Sequence, residues 1–370
     1  MRLGYLVSGW LAVSSFATVG VVRAQDWTAP LSPADTASYR MVKVAKGVFA
    51  FIAPDGITPA VSGNSTVVIG DDGVLVVDTG QYPDVTRWEI EKIRALTDKP
   101  VRYVVNTHWH PDHWLGNGEF LAAFPDAVIV STPVTLELMK TQAQPFIDPK
   151  VAAGTVAALR QMTASGVGRD GRPIPDPTLR WYRYGLGEVE ALLPQLERAA
   201  PAYPTRMVSD SMVFSLGGRD VQVRFLGRGN TGGDLVAYVP DTRTLVTGDL
   251  VVHPYPYVFG SFVGEWIETM TALIGFDAAG IVPGHGAVEN DKRYLVVVKS
   301  LLESLRRQVG EAFRRGVPLD SVAGKVDFAE FRRRMCGKGE YCRYGFDSSI
   351  KSAIGRAYRE AKEGRLSDEN

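Results

Sequence analysis

An α/β fold assembled from two β-rich halves is what this sequence predicts, and three features predict it. Apolar runs of strand length, joined by turns rich in Asp and Gly, occur between residues 65 and 80 and again between 211 and 249. Each group is followed by a stretch whose apolar residues recur at helical spacing. The residues able to do chemistry gather where the strand-like runs stop. The two groups share a grammar without repeating a sequence, so they read as a duplicated core and not as a tandem repeat.

The first residues are of a different kind. Arg2 precedes the uncharged apolar stretch "LGYLVSGWLAVSSFATVGVV", and "VRA" ends at Ala24 with small residues at the spacing a signal peptidase reads. Residues 1–24 are therefore expected to be a signal peptide cleaved after Ala24, leaving a main domain over 25–290. An uncleaved anchor is the alternative, because the stretch is nearly long enough to span a bilayer. After cleavage no later segment is long and apolar enough to span. The protein is then periplasmic or secreted, with no stable membrane insertion.

In the main domain "STVVIG", "DDG" and "VLVVDTG" read as a hairpin. "PDVTRWEIEKIRAL" follows as a helix, with Pro83 near its start and Trp88, Ile93 and Leu96 near helical spacing. "VRYVVNTH" is a continuous apolar run and predicts a buried strand; "AVIVST" at 127–132 predicts another. Residues 133–206 are helix-prone and broken by "GVGRDGRPIPDP", which predicts a helical insertion, either a lid or a passive addition. "SMVFSL" with "VQVRFLG", and "LVAYVP" with "TLVTGD", give a second and a third hairpin. In "VGEWIETMTALIGF", Trp266, Met270, Leu273 and Ile274 share a helical face, and "GIVPGHG" is a short strand running into a loop. Residues 291–370 read as a C-terminal helical extension in which Tyr294, Val298, Leu301, Leu305, Val309 and Phe313 form a core-facing stripe.

Charge and cysteine content narrow the function. Lys plus Arg total 41 and Asp plus Glu total 41, so no net charge attracts nucleic acid or an anionic membrane. The basic run "FRRRM" reads as a solvated helix face. A small-molecule substrate is the expected partner, and no oligomeric state is implied. Cys336 and Cys342 are the only cysteines. In an oxidising compartment they predict a small disulfide loop, with free thiols as the alternative.

The chemistry is concentrated in "THWHPDH", residues 107–113, which holds three of the five histidines. Alternate residues of an extended segment point to one side, so His108 and His110 emerge together from the end of a strand. A turn at Pro111 brings Asp112 and His113 back toward them. Imidazole and carboxylate together suit zinc, iron or manganese. His285, in "PGHG", and Asp249, in "TGD", also end strand-like runs, and His253 follows shortly after Asp249.

These motifs, taken with "VVDTG" and "GNTGGD" in the order "VVDTG", "THWHPDH", "GNTGGD", "TGD", "PGHG", resemble the metallo-β-lactamase fold superfamily over most of residues 40–290. The resemblance implies a four-layer αββα sandwich with a metal site along one edge, between the sheets. It implies up to two zinc ions. His108 and His110 would serve one; Asp112, His113 and His285 would serve the other, with Asp249 bridging or bound on that second side. Asp78 would hold the ligand loop. One position departs from the family: the third element usually reads G-H-T-x-G-D, and Asn230 stands where its histidine would be. An amide oxygen is a weaker ligand than imidazole, so the first ion is expected to be loosely held or absent. His253 could stand in for the missing imidazole, or sit in the rim loop "HPYPYVFGS" and pack or meet substrate.

A cation in such a site generates hydroxide near neutral pH and polarises a carbonyl or phosphoryl oxygen. No G-x-S-x-G elbow competes as nucleophile. Hydrolysis of an ester, lactone, lactam or phosphoester is therefore expected, with Asp112 orienting or deprotonating the water. Trp109, Trp114, Tyr255, Tyr257 and Phe259 lie near the ligands in sequence and suggest an aromatic rim for a partly apolar substrate. A β-lactamase proper is one alternative. An iron-dependent dioxygenase is another, against which Asn230 argues, since that site would need a histidine at 230. A non-catalytic metal-binding protein is the third.

Overall fold

The computed structural model describes residues 32–54 and 61–367; the signal peptide expected at 1–24 lies outside them. Among the described residues two sheets form. The first has seven strands in chain order: β1 (Arg40–Ala45), β2 (Val48–Ile52), β3 (Ser65–Ile69), β4 (Val74–Val77), β5 (Val101–Val105), β6 (Val128–Ser131) and β7 (Arg206–Met207). The second has five: β8 (Ser211–Ser215), β9 (Asp220–Phe225), β10 (Leu235–Val239), β11 (Thr244–Val252) and β12 (Gly280–His285), with β12 beside β11. The three expected hairpins are β3–β4, β8–β9 and β10–β11, each antiparallel. Where helices intervene the pairing is parallel, β4 with β5 and β11 with β12.

Side-chain alternation sets the layers. Along β4, Leu75 and Val77 turn inward to meet Phe214, Val223, Leu235 and Val282 of the second sheet. Val74 and Val76 turn outward onto helix α1 (Pro83–Leu96) and helix α2 (Asn117–Ala123), through Ile90, Ile93 and Phe120. Helix α1 starts where Pro83 occupies the first turn and Asp84 adds a favourable acidic charge.

The chain between β6 and β7 runs through four helices: α3 (Pro133–Lys140), α4 (Gln144–Ile147), α5 (Pro149–Ser165) and α6 (Asp176–Leu196). Ala152 and Val156 of α5 and Val189, Leu192 and Leu196 of α6 pack on Tyr82, Val85 and Leu115, so these helices sit over the start of α1.

The outer face of the second sheet is covered in the same way. Val236, Leu245 and Ile281 pack on helix α7 (Val263–Ile274) through Trp266 and Met270, and on helix α8 (Arg293–Arg314) through Leu301 and Leu305. The result is helices, sheet, sheet, helices: the four-layer αββα sandwich. Short helices α9 (Leu319–Val322) and α10 (Ala329–Cys336) lead to the long helix α11 (Glu340–Glu363). Phe346, Ala353, Ile354 and Ala357 of α11 join the same core. Cys336 and Cys342 are bonded, tying the end of α10 to the first turn of α11. No helix among the described residues is long and apolar enough to cross a membrane.

Candidate metal centre

The ligand loop begins where β5 stops at Val105, and one 3-10 turn at Pro111–His113 folds it back. Asp78, at the end of β4, braces it. Its Oδ1 accepts the Thr107 amide at 2.8 Å, and its Oδ2 accepts the Thr107 hydroxyl at 2.7 Å and His113 Nδ1–H at 2.8 Å. With its own proton committed to Asp78, Thr107 Oγ1 accepts from His108 Nδ1 at 3.0 Å. Asp78 thus stands behind two imidazoles at once and turns both Nε2 atoms inward, that of His108 to within 2.9 Å of His110 Nδ1. The Asp78 backbone is left-handed, φ 60°, a conformation that Asp tolerates better than most residues. Asn106 and Asn117 exchange side-chain hydrogen bonds of 3.0 and 2.8 Å beneath the loop.

From the second sheet come Asp249 on β11 and His285 at the end of β12. Their approach depends on Gly284, where a Cβ would lie 2.0 Å from Asp249 Oδ1. Asn64 locks the sheets together across the site. Its Nδ2 donates to Pro283 O and Gly286 O, both at 2.9 Å, while its Oδ1 accepts the Ala53 amide at 3.0 Å.

Two triads result, His108 with His110 and Asp249, and Asp112 with His113 and His285. Within each, one ligand atom per residue lies within 4.8 Å of the others. Asp249 reaches both: Oδ2 is 3.6 Å from His108 Nε2, and Oδ1 is 3.2 Å from His113 Nε2 and 3.4 Å from His285 Nε2. Asp112 Oδ2 is 3.1 Å from His285 Nε2. Asp249 Oδ1 is buried and forms no well-aligned hydrogen bond despite these neighbours. His113 Nε2 and His285 Nε2 approach to 3.3 Å, an arrangement that two lone pairs resist and a shared cation favours. The residues present fit a metal.

Electrostatics agrees. Burial pulls His108 well below its ordinary value and His110 down to about 4, so both are neutral and ready to ligate. Burial acts the same way on His113, but the carboxylates of Asp112, Asp249 and Asp78 outweigh it and hold that ring well above its ordinary value. Asp249 and Asp112 likewise overcome burial at His285 and push it up to about 9. Burial would raise Asp112 and Asp249, yet His113 and His285 hold both carboxyls below the usual range. Without a cation the second triad recruits protons, so this is where positive charge is most strongly favoured.

The other sequence-selected residues divide. Asn230 is buried between β9 and β10, and neither its amide oxygen nor its nitrogen has a hydrogen-bond partner. Asp249, not a substitute histidine, is the third member of the first triad. His253 does not take that place. Its ring stacks on Tyr294 with centroids 3.6 Å apart, and its Nε2 lies 2.9 Å from Glu289. Tyr255, Tyr257, Phe259 and Trp109 line a cavity of about 390 Å³ over His110, Asp112 and Asp249. Trp114 corrects the aromatic rim: it is fully buried, and its indole N–H donates to Trp109 O at 2.7 Å. Phe146, Trp181, Gly345, Ser348, Ser349 and Ser352, with Val61 and Pro111, complete the lining. Apart from Pro111, nothing in the sequence linked these residues to the histidines. Only the aromatic character of Phe146 and Trp181 could have drawn attention.

Residues 58–285 match the sequence profile of the Metallo-beta-lactamase superfamily. The chain belongs to that superfamily. It is 24% identical over 304 residues to a linear primary-alkylsulfatase from Pseudomonas sp., a match covering 78% of this chain and 53% of the relative. Among solved structures, a metallo-beta-lactamase from Pontibacter korlensis aligns with TM-score 0.51 and 19% identity, over 72% of this chain and 99% of that one. The stereoselective inverting sec-alkylsulfatase Pisa1 from Pseudomonas sp. aligns with TM-score 0.57 and 16% identity, over 87% of this chain and 50% of that one. At these identities the structural matches establish the fold alone. The chain spans about half the length of the alkylsulfatases it matches. Within that superfamily fold it carries two groups of residues that could hold a metal ion.

Proposed function

We propose that this protein is an exported, zinc-dependent hydrolase that uses a metal-activated water on an ester, lactone, lactam or phosphoester bond of a partly apolar small molecule. One observation carries this reading: two triads share Asp249 at the base of a cavity with aromatic sides. Nitrogen and carboxylate donors suit zinc. Bound there, zinc would lower the pKa of water to about 7 and polarise the substrate's oxygen. His108, His110 and Asp249 would hold one ion; Asp112, His113, His285 and Asp249 the other. Asp78 keeps His108 and His113 in the tautomers that present Nε2. Asp112 belongs to the second triad and also lines the cavity, which supports a role in orienting the water and taking its proton. The aromatic sides exclude bulk water from the substrate. Sulfate esters join the candidate bonds because the relatives named above include two alkylsulfatases. Periplasmic or secreted placement rests on the sequence of residues 1–24.

A second reading has one observation in its favour. His108, His110 and Asp249 are two imidazoles and a carboxylate, the donor set of mononuclear iron(II) oxygenases, and they assemble without a histidine at 230. The full second triad beside them favours the hydrolase. Mass-spectrometric metal analysis of protein beginning at Gln25, with a panel of carboxylic, lactone, lactam, phosphate and sulfate esters, separates the two. Zinc at up to two per chain, with hydrolysis abolished by chelation and restored by zinc, is expected. Iron at one per chain with no hydrolysis would overturn the proposal.

A further inference from the structure

We infer that helix α11, together with Trp181 of α6, is the substrate-selecting wall of this site, and that it receives an uncharged, largely apolar part of the substrate. Under the hydrolase reading the metal cluster is the reacting end of the cavity. The wall comes from elsewhere in the chain: the superfamily match ends at residue 285, whereas Gly345, Ser348, Ser349 and Ser352 lie on α11.

The wall is built to sit where it does. Gly345 falls inside a 24-residue helix, a position that glycine weakens. A Cβ there would lie 2.1 Å from Tyr255 Oη and 3.1 Å from Trp181 Cη2, so glycine is what lets the helix lie against both rings. One turn earlier, the Cys336–Cys342 bond fixes the start of the helix. Ser349 Oγ donates to Pro256 O at 3.2 Å, and Tyr344 donates its hydroxyl to Thr178 Oγ1 at 2.9 Å. These contacts tie α11 to the Tyr255–Tyr257 loop and to α6.

The chemistry of the lining names the class of occupant. Among the described lining residues there is no Lys, Arg or Glu, and the carboxylates present, Asp112 and Asp249, belong to the metal cluster. A charged substituent on the far part of a substrate would leave water for aromatic faces and serine hydroxyls with no counter-ion, which is unfavourable. An alkyl or aryl group gains by entering. Phe146 and Phe259 remain 59% and 53% exposed on this cavity, apolar surface that such a group would cover. The serine hydroxyls can still satisfy a neutral ether, hydroxyl or amide.

Trp109 and Trp181 in the lining give a binding readout that needs no turnover. The zinc-loaded full chain would be titrated with octanamide, 8-aminooctanamide and the monoamide of suberic acid, following tryptophan fluorescence. Octanamide should bind at least tenfold more tightly than either charged analogue. Its affinity should rise about fourfold for each methylene gained from hexanamide. Gly345→Leu, and Ser348→Phe at an exposed position where folding is not at stake, should each weaken octanamide tenfold or more with zinc content unchanged. Equal binding of the three probes, or unchanged Kd in Ser348→Phe, would overturn the assignment. In parallel, Ser348→Phe should cut the preference for p-nitrophenyl octanoate over the acetate about tenfold through KM. If the native protein hydrolyses no member of the carboxylic, lactone, lactam, phosphate and sulfate panel, the hydrolase reading fails while the binding result still decides the wall.

Discussion

The floor and the sides of the cavity are made differently. The floor gathers six candidate ligands from within β11, from the end of β12 and from the loop after β5, nearly all buried, and braces them through Asp78, Thr107, Asn64 and Gly284. The sides come largely from helices and a loop, keep Ser348, Ser352, Phe146 and Phe259 exposed, and are held by ring contacts and a few hydrogen bonds. Bond-making chemistry needs atoms placed within a fraction of an ångström, which rigid strand ends supply. Selecting an apolar group tolerates more slack, and helices added to the core suffice.

Asp249→Ala should strike the floor hardest, because one carboxylate serves both triads. Both zinc ions should be lost and hydrolysis should fall about 10³-fold or more, read by metal analysis and kcat/KM. Retention of two ions would show that Asp249 is not shared.

Asp78→Asn touches no metal directly, yet it stands behind an imidazole of each triad. Zinc affinity should drop about 10- to 100-fold at both sites, measured by competition with a chelator. A drop confined to one site would mean that the relay through Thr107 to His108 is idle.

Asn230→His tests whether the position where the superfamily usually carries histidine reaches the first triad. An added imidazole should raise zinc affinity at His108, His110 and Asp249 about tenfold and leave the second triad alone. No change would place Asn230 out of reach of the ion.

The smallest effect concerns pH. In the metal-free floor, Asp112 and Asp249 are held below the usual range, so their contribution to stability is present above about pH 4 and is lost as pH falls. The sides behave oppositely. Burial pushes Glu188 of α6 up to about 7, so the native state holds a proton that the unfolded state has released. The contribution of Glu188 to stability should therefore decline as pH rises from about 4.5 to about 7, by at most about 1.4 kcal/mol per unit. Glu188→Gln should flatten that decline, as followed by thermal melting across the range. An unaltered slope would assign the pH dependence to other groups.

Much of the floor was legible because its signals are local. His108, His110, Asp112 and His113 lie within six positions, and the ordered motifs placed Asp78, Asp249 and His285 with them. The hairpins and helices α1, α7 and α8 followed from alternation and helical stripes that span only a few residues. The β1–β2 hairpin was not anticipated, since β1 is an exposed edge strand with no clean alternation. The sides were scarcely legible. Trp109 and Trp114 are five residues apart and equally aromatic, yet one lines the cavity and the other is wholly buried.

From its residue order alone, then, this chain specifies the layered fold and singles out the side chains that the fold brings together as candidate metal ligands, because both are written in short-range periodicity or in adjacent residues. Only the folded arrangement decides that Asp249 completes the triad lacking a histidine, that His253 is engaged by Tyr294 and Glu289, and that Gly345 brings α11 against Tyr255 and Trp181. Those outcomes depend on packing between segments far apart in sequence, where no local pattern carries the distance between them.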